Sequence, residues 1–284
     1  MLKSKKQTLV DFLTLNDLLQ CPICGKSFLV DQNQAKCESH HTFDISKNGY
    51  MTLLKARKLN IDKHYDKFLF DNRRNLIASG FFEPVENFII HFINSNSIGV
   101  DKINILDLGS GEGTITKRIY NKLDLDSNIV MLDYSKTAIK LSTDYIKDNV
   151  CSIVADMSFL PIKSDSVEYI INFLSPITPV EAIRVLNSKG FIIKVIPTIN
   201  YLKELRDIIK KEYTPKVESN LLKTFNIYDS KTISYSVKLT KETKEYLKNM
   251  TPLMFDCRDD DINLESVTVE LKVLILKPLC EKVV

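Results

Sequence analysis

Short apolar runs alternate with amphipathic segments between residues 103 and 196. The runs have the length and composition of buried strands. The segments between them repeat apolar residues every three or four positions, as helices do. We predict strands at 103–108, 129–132, 152–154, 167–173 and 191–196, and helices at 114–123, 136–147 and 179–186. This order predicts an α/β fold in which helices cover both faces of a mostly parallel sheet.

The regions on either side have other patterns. Residues 62–95 show helical periodicity that Gly80 interrupts, and Pro84 stands where a second helix could begin. Residues 1–20 suggest only a short extension, and 21–55 a compact unit of short elements. Towards the carboxyl end we predict helices at 201–211 and 241–248 and strands at 232–239 and 267–276, the last as an antiparallel partner in the sheet.

Composition favours a folded protein of one large core or two smaller ones. The 284 residues are 44% hydrophobic and 26% charged, as in ordinary globular proteins. We find no apolar stretch of about 18 residues and therefore predict no membrane span. The Lys-rich start lacks a following apolar segment, so we predict no secretory signal. Three of the six cysteines cluster and three are scattered, which suits a reducing cytoplasm.

Charge is unevenly distributed along the chain. The net charge is +3, yet residues 1–75 hold 13 Lys and Arg against eight Asp and Glu. A basic amino-terminal module is compatible with a nucleic-acid phosphate partner. Charge alone favours the simpler interpretation, a solvated Lys-rich surface.

The most specific local motif is a set of cysteines and histidines near the amino terminus. Cys21 and Cys24 are two residues apart, and Cys37 follows with His40 and His41 close behind it. Three thiolates and one imidazole fill the tetrahedral shell of a structural Zn²⁺. The spacing leaves His40 and His41 as alternatives for the fourth ligand.

A second motif follows the first predicted strand of the alternating region. Asp107 stands at the end of that strand, and the glycines Gly109, Gly111 and Gly113 lie between the strand and the next helix. Glycines at such a turn let the backbone approach a ligand closely. Asp107 offers a carboxylate to a ligand's ammonium group. This stretch resembles the S-adenosylmethionine loop of seven-stranded methyltransferases.

Polar residues also follow the next three strands. Asp133 is placed to accept hydrogen bonds from two ribose hydroxyls, and Asp156 with Met157 stands where this fold contacts adenine. Asn172 and Ser175 follow the fourth strand, where the transferred methyl would face its acceptor. Each acid alone could be a helix cap or an exposed loop charge. Together, at the carboxyl ends of strands, they favour a cofactor site.

Longer stretches resemble the family of 23S ribosomal RNA guanine-N1 methyltransferases with an amino-terminal zinc domain. The resemblance rests on the cysteine motif, the run from Phe43 to Leu54, Arg73-Arg74 with the segment 80–84, and Met250-Thr-Pro. It implies zinc ligation by Cys21, Cys24, Cys37 and His41. It implies a Rossmann-like seven-stranded S-adenosylmethionine-dependent methyltransferase fold with a small zinc-binding domain. The departures are Phe82 for a family Tyr, Tyr201 for a family His, and residues 60–62 for a family Gly-Asp.

The predicted function is therefore methylation of guanine N1 in a loop of 23S ribosomal RNA, by a cytoplasmic enzyme that the resemblance makes a possible homodimer. Asn172 and Ser175 are candidates for orienting the guanine. The alternatives are a small-molecule methyltransferase with a structural zinc module and a non-catalytic zinc-containing RNA-binding protein. The candidate cofactor contacts are Phe82, Asp107, Gly109, Gly111, Glu112, Gly113, Thr114, Asp133, Tyr134, Asp156, Met157, Asn172 and Tyr201.

We place the domain boundaries from these motifs. Residues 1–60 form the extension and the zinc-binding domain, 61–100 a helical linker region, and 101–284 the S-adenosylmethionine-binding methyltransferase domain.

Overall fold

The computed structural model describes residues 3–31, 33–55, 65–210, 219–250 and 264–279. Some features that the sequence singled out lie outside the described residues: Cys257, Cys280, the segment 60–62, Thr251 with Pro252, and the predicted boundary between 60 and 61.

The amino-terminal region begins with a helix, so the expectation of a short extension is wrong for these residues. Helix α1 (Lys5–Leu15) starts where the Ser4 hydroxyl accepts a hydrogen bond from the backbone N–H of Gln7 at 3.2 Å. This cap satisfies one of the free donors of the first turn. Leu9 and Phe12 are buried on one face of α1, so the helix is held by packing.

A small antiparallel sheet follows α1. Its strands, in the order β1-β2-β3, are β1 (Phe28–Val30), β2 (Gln34–Cys37) and β3 (Thr42–Asp44). The next strand, β4 (Tyr50–Leu53), leaves this sheet and pairs in parallel with a strand of the main sheet. The region predicted as the zinc-binding domain is thus hydrogen-bonded to the main sheet. The domain boundaries themselves stay a prediction.

The main sheet has eight strands in the described part of the chain, in the order β10-β11-β9-β8-β5-β6-β7-β4. Strands β4 to β9 run parallel and β11 lies antiparallel between β9 and β10. Their bounds after β4 are β5 (Lys102–Leu108), β6 (Asp126–Asp133), β7 (Val150–Ala155), β8 (Val167–Phe173), β9 (Leu186–Pro197), β10 (Phe225–Lys238) and β11 (Ser266–Pro278). The predictions of a mostly parallel α/β sheet and of an antiparallel last strand are confirmed.

The helices of the main body connect these strands or precede them. Helices α2 and α3 precede β5 and are separated at Gly80, with Pro84 in the first turn of α3, as predicted. Their bounds are α2 (Lys67–Ala78), α3 (Glu83–Asn96), α4 (Thr114–Tyr120), α5 (Lys136–Ser142), α6 (Pro179–Val185), α7 (Lys203–Ile208), α8 (Ser219–Leu222) and α9 (Lys241–Met250). The predicted helices at 114–123, 136–147 and 201–211 are shorter than expected, since turns or bends occupy 121–122, 143–145, 201–202 and 209–210, and residue 211 lies outside the described residues.

The core explains the apolar runs. Every residue of β7 is buried, and so are most residues of β5, β6 and β8, because helices and other segments cover both faces of this parallel sheet. Strand β11 alternates instead: Val267, Val269, Leu271 and Val273 are buried, and the residues between them are partly exposed.

Among the described residues, only one pair of helices passes a test for a membrane span, and it is weak evidence. No single helix there is long and apolar enough to cross a membrane, and α2 with α3 meets the length and composition test only as a pair bent by 73°.

The strand order reverses beside the carboxyl end of β5. Strand β5 lies between β6 and β8, so the connections after β5 and after β8 leave to opposite sides of the sheet. In open α/β sheets, ligands bind at the carboxyl ends of strands beside such a reversal.

Candidate metal and cofactor sites

The predicted zinc ligands lie together in the amino-terminal module. One ligand atom from each of Cys21, Cys24, Cys37 and His41 lies within 4.8 Å of the others. Cys24 Sγ is 3.5 Å from Cys37 Sγ, and His41 Nδ1 is 3.4 Å from Cys37 Sγ and 3.6 Å from Cys21 Sγ. Ligands on a tetrahedral zinc ion at ordinary bond lengths are separated by about 3.6–3.8 Å. The donor set and its spacing therefore fit Zn²⁺.

The two turns that carry these ligands explain their convergence. In the first turn, Gly25 takes a φ of 74° and its N–H donates to the Cys21 carbonyl at 2.8 Å. The Lys26 backbone N–H lowers the pKa of the Cys24 thiol to about 6, whereas burial raises the pKa of Cys21 to about 11. Thiolate is the form that binds metal, so ligation at Cys21 must overcome its burial.

The second turn separates the two histidines. His40 takes a left-handed φ of 62°, donates its backbone N–H to the Cys37 carbonyl at 2.8 Å, and is exposed. The ring of the next residue, His41, then faces the cysteines. The structure thus brings His41, and not His40, to the cluster.

The glycine loop after β5 is hydrogen-bonded to the end of the neighbouring strand, β6. The N–H groups of Gly109 and Ser110 both donate to the Leu132 carbonyl, at 2.8 and 3.0 Å. Gly109 has a φ of 81°, and a Cβ there would lie 2.6 Å from Ser175 Cβ and 3.1 Å from Met157 Cε. Only glycine fits at this point, where the segments after β5, β7 and β8 meet.

Asp107 and Asp133 lie at the carboxyl ends of β5 and β6. Asp107 is buried and accepts a hydrogen bond from the Thr116 hydroxyl; burial raises its pKa to about 7. Asp133 accepts from the N–H groups of Gly111 at 2.9 Å and Ser135 at 2.7 Å, and burial raises its pKa as well. These carboxylates are held in place for a ligand with donor groups.

Glu112 and the hydroxyl group of Ser110 are also buried in this loop. Glu112 is buried and its pKa is raised by burial, with the charge of Arg73 acting in the opposite direction. The Ser110 hydroxyl is buried and has no hydrogen-bond partner in the described part of the chain. An orphaned donor beside buried acids is what a loop that cradles a polar ligand leaves when the ligand is absent.

The segment after β7 reaches the same loop. Asp156 accepts a hydrogen bond from the Ser158 backbone N–H through Oδ1, at 2.8 Å. This hydrogen bond does not use the second carboxylate oxygen. Met157 is the residue whose methyl group approaches Gly109. Both predicted adenine contacts therefore stand at the carboxyl edge of the sheet.

Asn172 is fully buried at the end of β8, and both polar atoms of its amide are hydrogen-bonded. Its Nδ2 donates to the carbonyls of Leu108 at 2.7 Å and Pro176 at 2.9 Å, and its Oδ1 accepts from Lys194 Nζ at 2.6 Å. Lys194 also donates to the Ser175 carbonyl. Asn172 and Lys194 thereby fix the turn that carries Ser175.

Two of the three family departures, Phe82 and Tyr201, belong to the same hydrophobic cluster. Phe82 is buried, with its ring 5.0 Å from that of Phe81 and 5.1 Å from that of Phe173. Burial raises the pKa of Tyr201, and the charge of Arg73 acts against it. The other predicted contacts, Thr114 and Tyr134, lie at the start of α4 and directly after β6. All these cofactor roles stay predictions.

The sequence reading assigned no role at this site to Arg73 or Lys194. Arg73 belongs to the family segment named above. Lys194 had a visible signal, since it is the one charged residue in the apolar run 191–196. The contacts of Arg73 and Lys194 could not be predicted from sequence spacing, because α2 and β9 come close to the glycine loop only in the tertiary fold.

Comparison with known proteins gives two family matches. A zinc-ribbon model described as "RlmA, N-terminal" matches residues 19–59, and a model described as "Methyltransferase domain" matches residues 100–251, more than half of the chain.

Curated proteins similar to this chain include two with names that specify an RNA base. A Bacillus subtilis (strain 168) protein named "Putative 23S rRNA (guanine-N(1)-)-methyltransferase YxjB" is 28% identical, over 94% of this chain and 98% of that protein. The Streptomyces fradiae "23S rRNA (guanine(748)-N(1))-methyltransferase" is 27% identical over 67% of each chain. A Wigglesworthia glossinidia brevipalpis "Ubiquinone/menaquinone biosynthesis C-methyltransferase UbiE" is 26% identical, over 72% of this chain and 85% of that protein.

Proposed function

Because the chain belongs to the methyltransferase-domain family and also matches an RlmA-type zinc ribbon, we propose that it methylates N1 of a guanine in 23S ribosomal RNA. The predictions of S-adenosylmethionine and zinc as its cofactors are confirmed by these matches together with the Cys₃His cluster. The observation that carries the function is that this chain matches both a zinc-ribbon model and a methyltransferase model. It also aligns over 94% and 67% of its length with relatives that are named for this reaction.

S-Adenosylmethionine supplies an electrophilic methyl group on a sulfonium. We assign the groups that hold it from the geometry of the loop. Ionised Asp107 faces the ammonium group, Asp133 accepts from the ribose hydroxyls, and Asp156 with Met157 contacts the adenine. The glycine loop lets the backbone approach this ligand closely.

Methyl transfer is an in-line displacement, so the acceptor must be aligned with the methyl group. We assign this alignment to the turn after β8. Asn172 and Lys194 hold the turn through the hydrogen bonds described above, and the Ser175 hydroxyl faces the bound guanine edge. Asn172 thus orients the substrate indirectly, through the backbone it fixes.

Guanine N1 is hidden by base pairing in a helix. The target is therefore an unpaired loop nucleotide or one rotated out of its stack. The basic amino-terminal module binds the RNA backbone while the pocket at the sheet edge binds the base. This division of roles predicts RNA affinity that falls steeply as salt concentration rises.

The test is methylation of ribosomal RNA that lacks the modification. The protein is incubated with methyl-labelled S-adenosylmethionine and unmodified 23S RNA, and the labelled nucleoside is identified by mass spectrometry. Label in N1-methylguanosine at one position is expected. Label in another nucleoside, or no label in RNA, contradicts the proposal. The Asp133→Ala protein is the inactive control.

The UbiE relative favours a second candidate function, C-methylation of a small aromatic acceptor. The same assay with a demethylated quinone precursor in place of RNA separates the two. Transfer to the quinone without transfer to RNA would select this alternative.

A cytoplasmic location and a homodimer complete the proposal. A ribosomal RNA substrate supports the cytoplasmic location, and the family resemblance supports the homodimer. Light scattering of the purified protein gives its mass in solution, and a mass near 32.6 kDa contradicts the dimer.

A further inference from the structure

Arg73 of α2 reaches over the glycine loop. Its Nη1 lies 3.7 Å from the position that a Cβ on Gly111 would take. The guanidinium carbon is 5.5 Å from the centre of the Phe70 ring, one turn earlier on the same helix. The half-buried side chain therefore places a positive charge at the loop where the cofactor is proposed to bind.

The charge of Arg73 acts on several groups of the site. It lowers the pKa of Glu112, Asp133 and Tyr201, in each case against the larger effect of burial. Yet no carboxylate of the described residues forms an ion pair with Arg73. The cation is close to the acids of the loop without being neutralised by direct contact with one.

The neighbouring Arg74 shows the opposite arrangement. Its Nη1 is 3.0 Å from Asp144 Oδ2, and its Nη2 donates to the Leu141 carbonyl at 2.8 Å. Arg74 therefore ties α2 to α5. The other buried cation near the loop, Lys194, is engaged by Asn172 and Ser175. Arg73 is thus the cation at this site that is placed to receive an anion.

The amino-acid end of S-adenosylmethionine carries one ammonium and one carboxylate. The acids at the strand ends suit the ammonium and the ribose hydroxyls, and they repel the carboxylate. We propose that Arg73 binds this carboxylate, and the inference rests on the proposed cofactor. A planar guanidinium can bind both oxygens of a carboxylate at once, which an ammonium cannot do with the same geometry.

The test compares two ligands that differ only in the carboxylate. S-Adenosylhomocysteine carries it, and S-adenosyl-3-thiopropylamine lacks it. Binding of both to the wild-type, Arg73→Met and Arg73→Lys proteins is measured by calorimetry. In the wild type, S-adenosylhomocysteine should bind about 10- to 100-fold more tightly, as expected for a hydrogen-bonded charge pair. Arg73→Met should lose this preference while it binds the thiopropylamine as the wild type does, and Arg73→Lys should keep part of it.

Matched variants exclude indirect effects. Arg74→Met removes the adjacent guanidinium, and Lys140→Met removes an exposed charge from α5; both should keep the wild-type ratio of the two affinities. A wild-type ratio in Arg73→Met, or an equal loss for both ligands, overturns the inference. A loss of RNA affinity alone in Arg73→Met overturns it in favour of a phosphate contact. If the wild type binds neither ligand, the proposed cofactor fails together with the inference. Should Arg73→Met not fold, Arg73→Lys carries the comparison.

Discussion

Replacing Gly109 with alanine tests whether the loops after β5 and β8 are in tight contact. The new methyl group would stand 2.6 Å from Ser175 Cβ and would overlap the Ser175 hydroxyl. Rotation of the Ser175 side chain cannot relieve the contact with its own Cβ, so the backbone of one loop must move. Gly109 also has a φ of 81°, which an alanine adopts only under strain.

The expected loss of unfolding free energy in Gly109→Ala has two parts. A left-handed backbone costs an L-residue roughly 1–2 kcal/mol, and overpacking in a rigid site costs about 1–3 kcal/mol. Gly99 isolates the first part, because it has a φ of 79° and no atom within 4 Å of its added Cβ. We expect a loss of about 1–2 kcal/mol in unfolding free energy for Gly99→Ala and about 2–5 kcal/mol for Gly109→Ala.

Urea unfolding measures both losses, and calorimetry measures S-adenosylhomocysteine affinity on the same samples. Gly109→Ala should weaken this affinity, whereas Gly99→Ala should leave it unchanged. A Gly109→Ala, Ser175→Gly double variant removes both overlapping atoms of Ser175 and should recover the excess loss in stability. Equal losses in the two single variants, or no recovery in the double variant, would refute the contact.

The remaining predictions concern the metal, a buried acid and a buried lysine. His41→Ala should lose the zinc that native mass spectrometry detects in the wild type, whereas His40→Ala should retain it; loss in both contradicts the assignment. Burial raises the pKa of Asp107 from 3.8 to about 7, so the folded protein keeps a proton that the unfolded chain releases, and stability falls as the pH rises across that interval. Asp107→Asn should flatten this part of the stability curve in urea unfolding at several pH values, and an unchanged slope contradicts the shift. Lys194→Met leaves the acceptor on Asn172 unpaired and should cost about 1–3 kcal/mol in urea unfolding; a neutral result means that this hydrogen bond does not stabilise the turn.

The strands of the main sheet could be predicted because burial on both faces leaves a direct mark on composition. Six of the seven strands from β5 to β11 overlap clear apolar runs. The exception, β10, is largely exposed, and its prediction at 232–239 captured only the second half of the strand. An exposed edge strand needs few apolar residues, so composition sets its limits poorly.

Two elements escaped prediction because their stability comes from distant partners. Helix α1 has five apolar residues among eleven, but of these only Leu9 and Phe12 are buried. Their packing against the rest of the module, which distinguishes the helix from a Lys-rich extension, is not visible in the sequence. Strand β4 is apolar enough to be a strand, but nothing in residues 50–53 specifies that Met51 will pair with Ile153. Pairing across about one hundred residues is decided by the completed sheet.

The candidate site likewise has features that the sequence predicts and features that depend on distant contacts. The three cysteine ligands and the acids at strand ends follow from spacing and from the rule that parallel strands share a carboxyl edge. The choice of His41 over His40 needed the family resemblance. The proximity of Arg73 to Gly111, and the use of the Asn172 amide by the backbone, depend on how α2 and β9 pack around that edge. Local motifs thus predicted where a ligand would bind, and the tertiary contacts showed which groups each side chain contacts or hydrogen-bonds.

Because β4 pairs in parallel with β7, zinc binding should affect the thermal stability of the whole molecule. Zinc binds the folded module and not the extended chain, so its binding free energy adds to folding free energy. Four residues of backbone pairing, from Tyr50 to Leu53, connect that module to the strand that ends beside Asp156. Heating should therefore melt the metal-binding and cofactor-binding parts in a single calorimetric transition, and a chelator should lower its midpoint even when S-adenosylhomocysteine is bound.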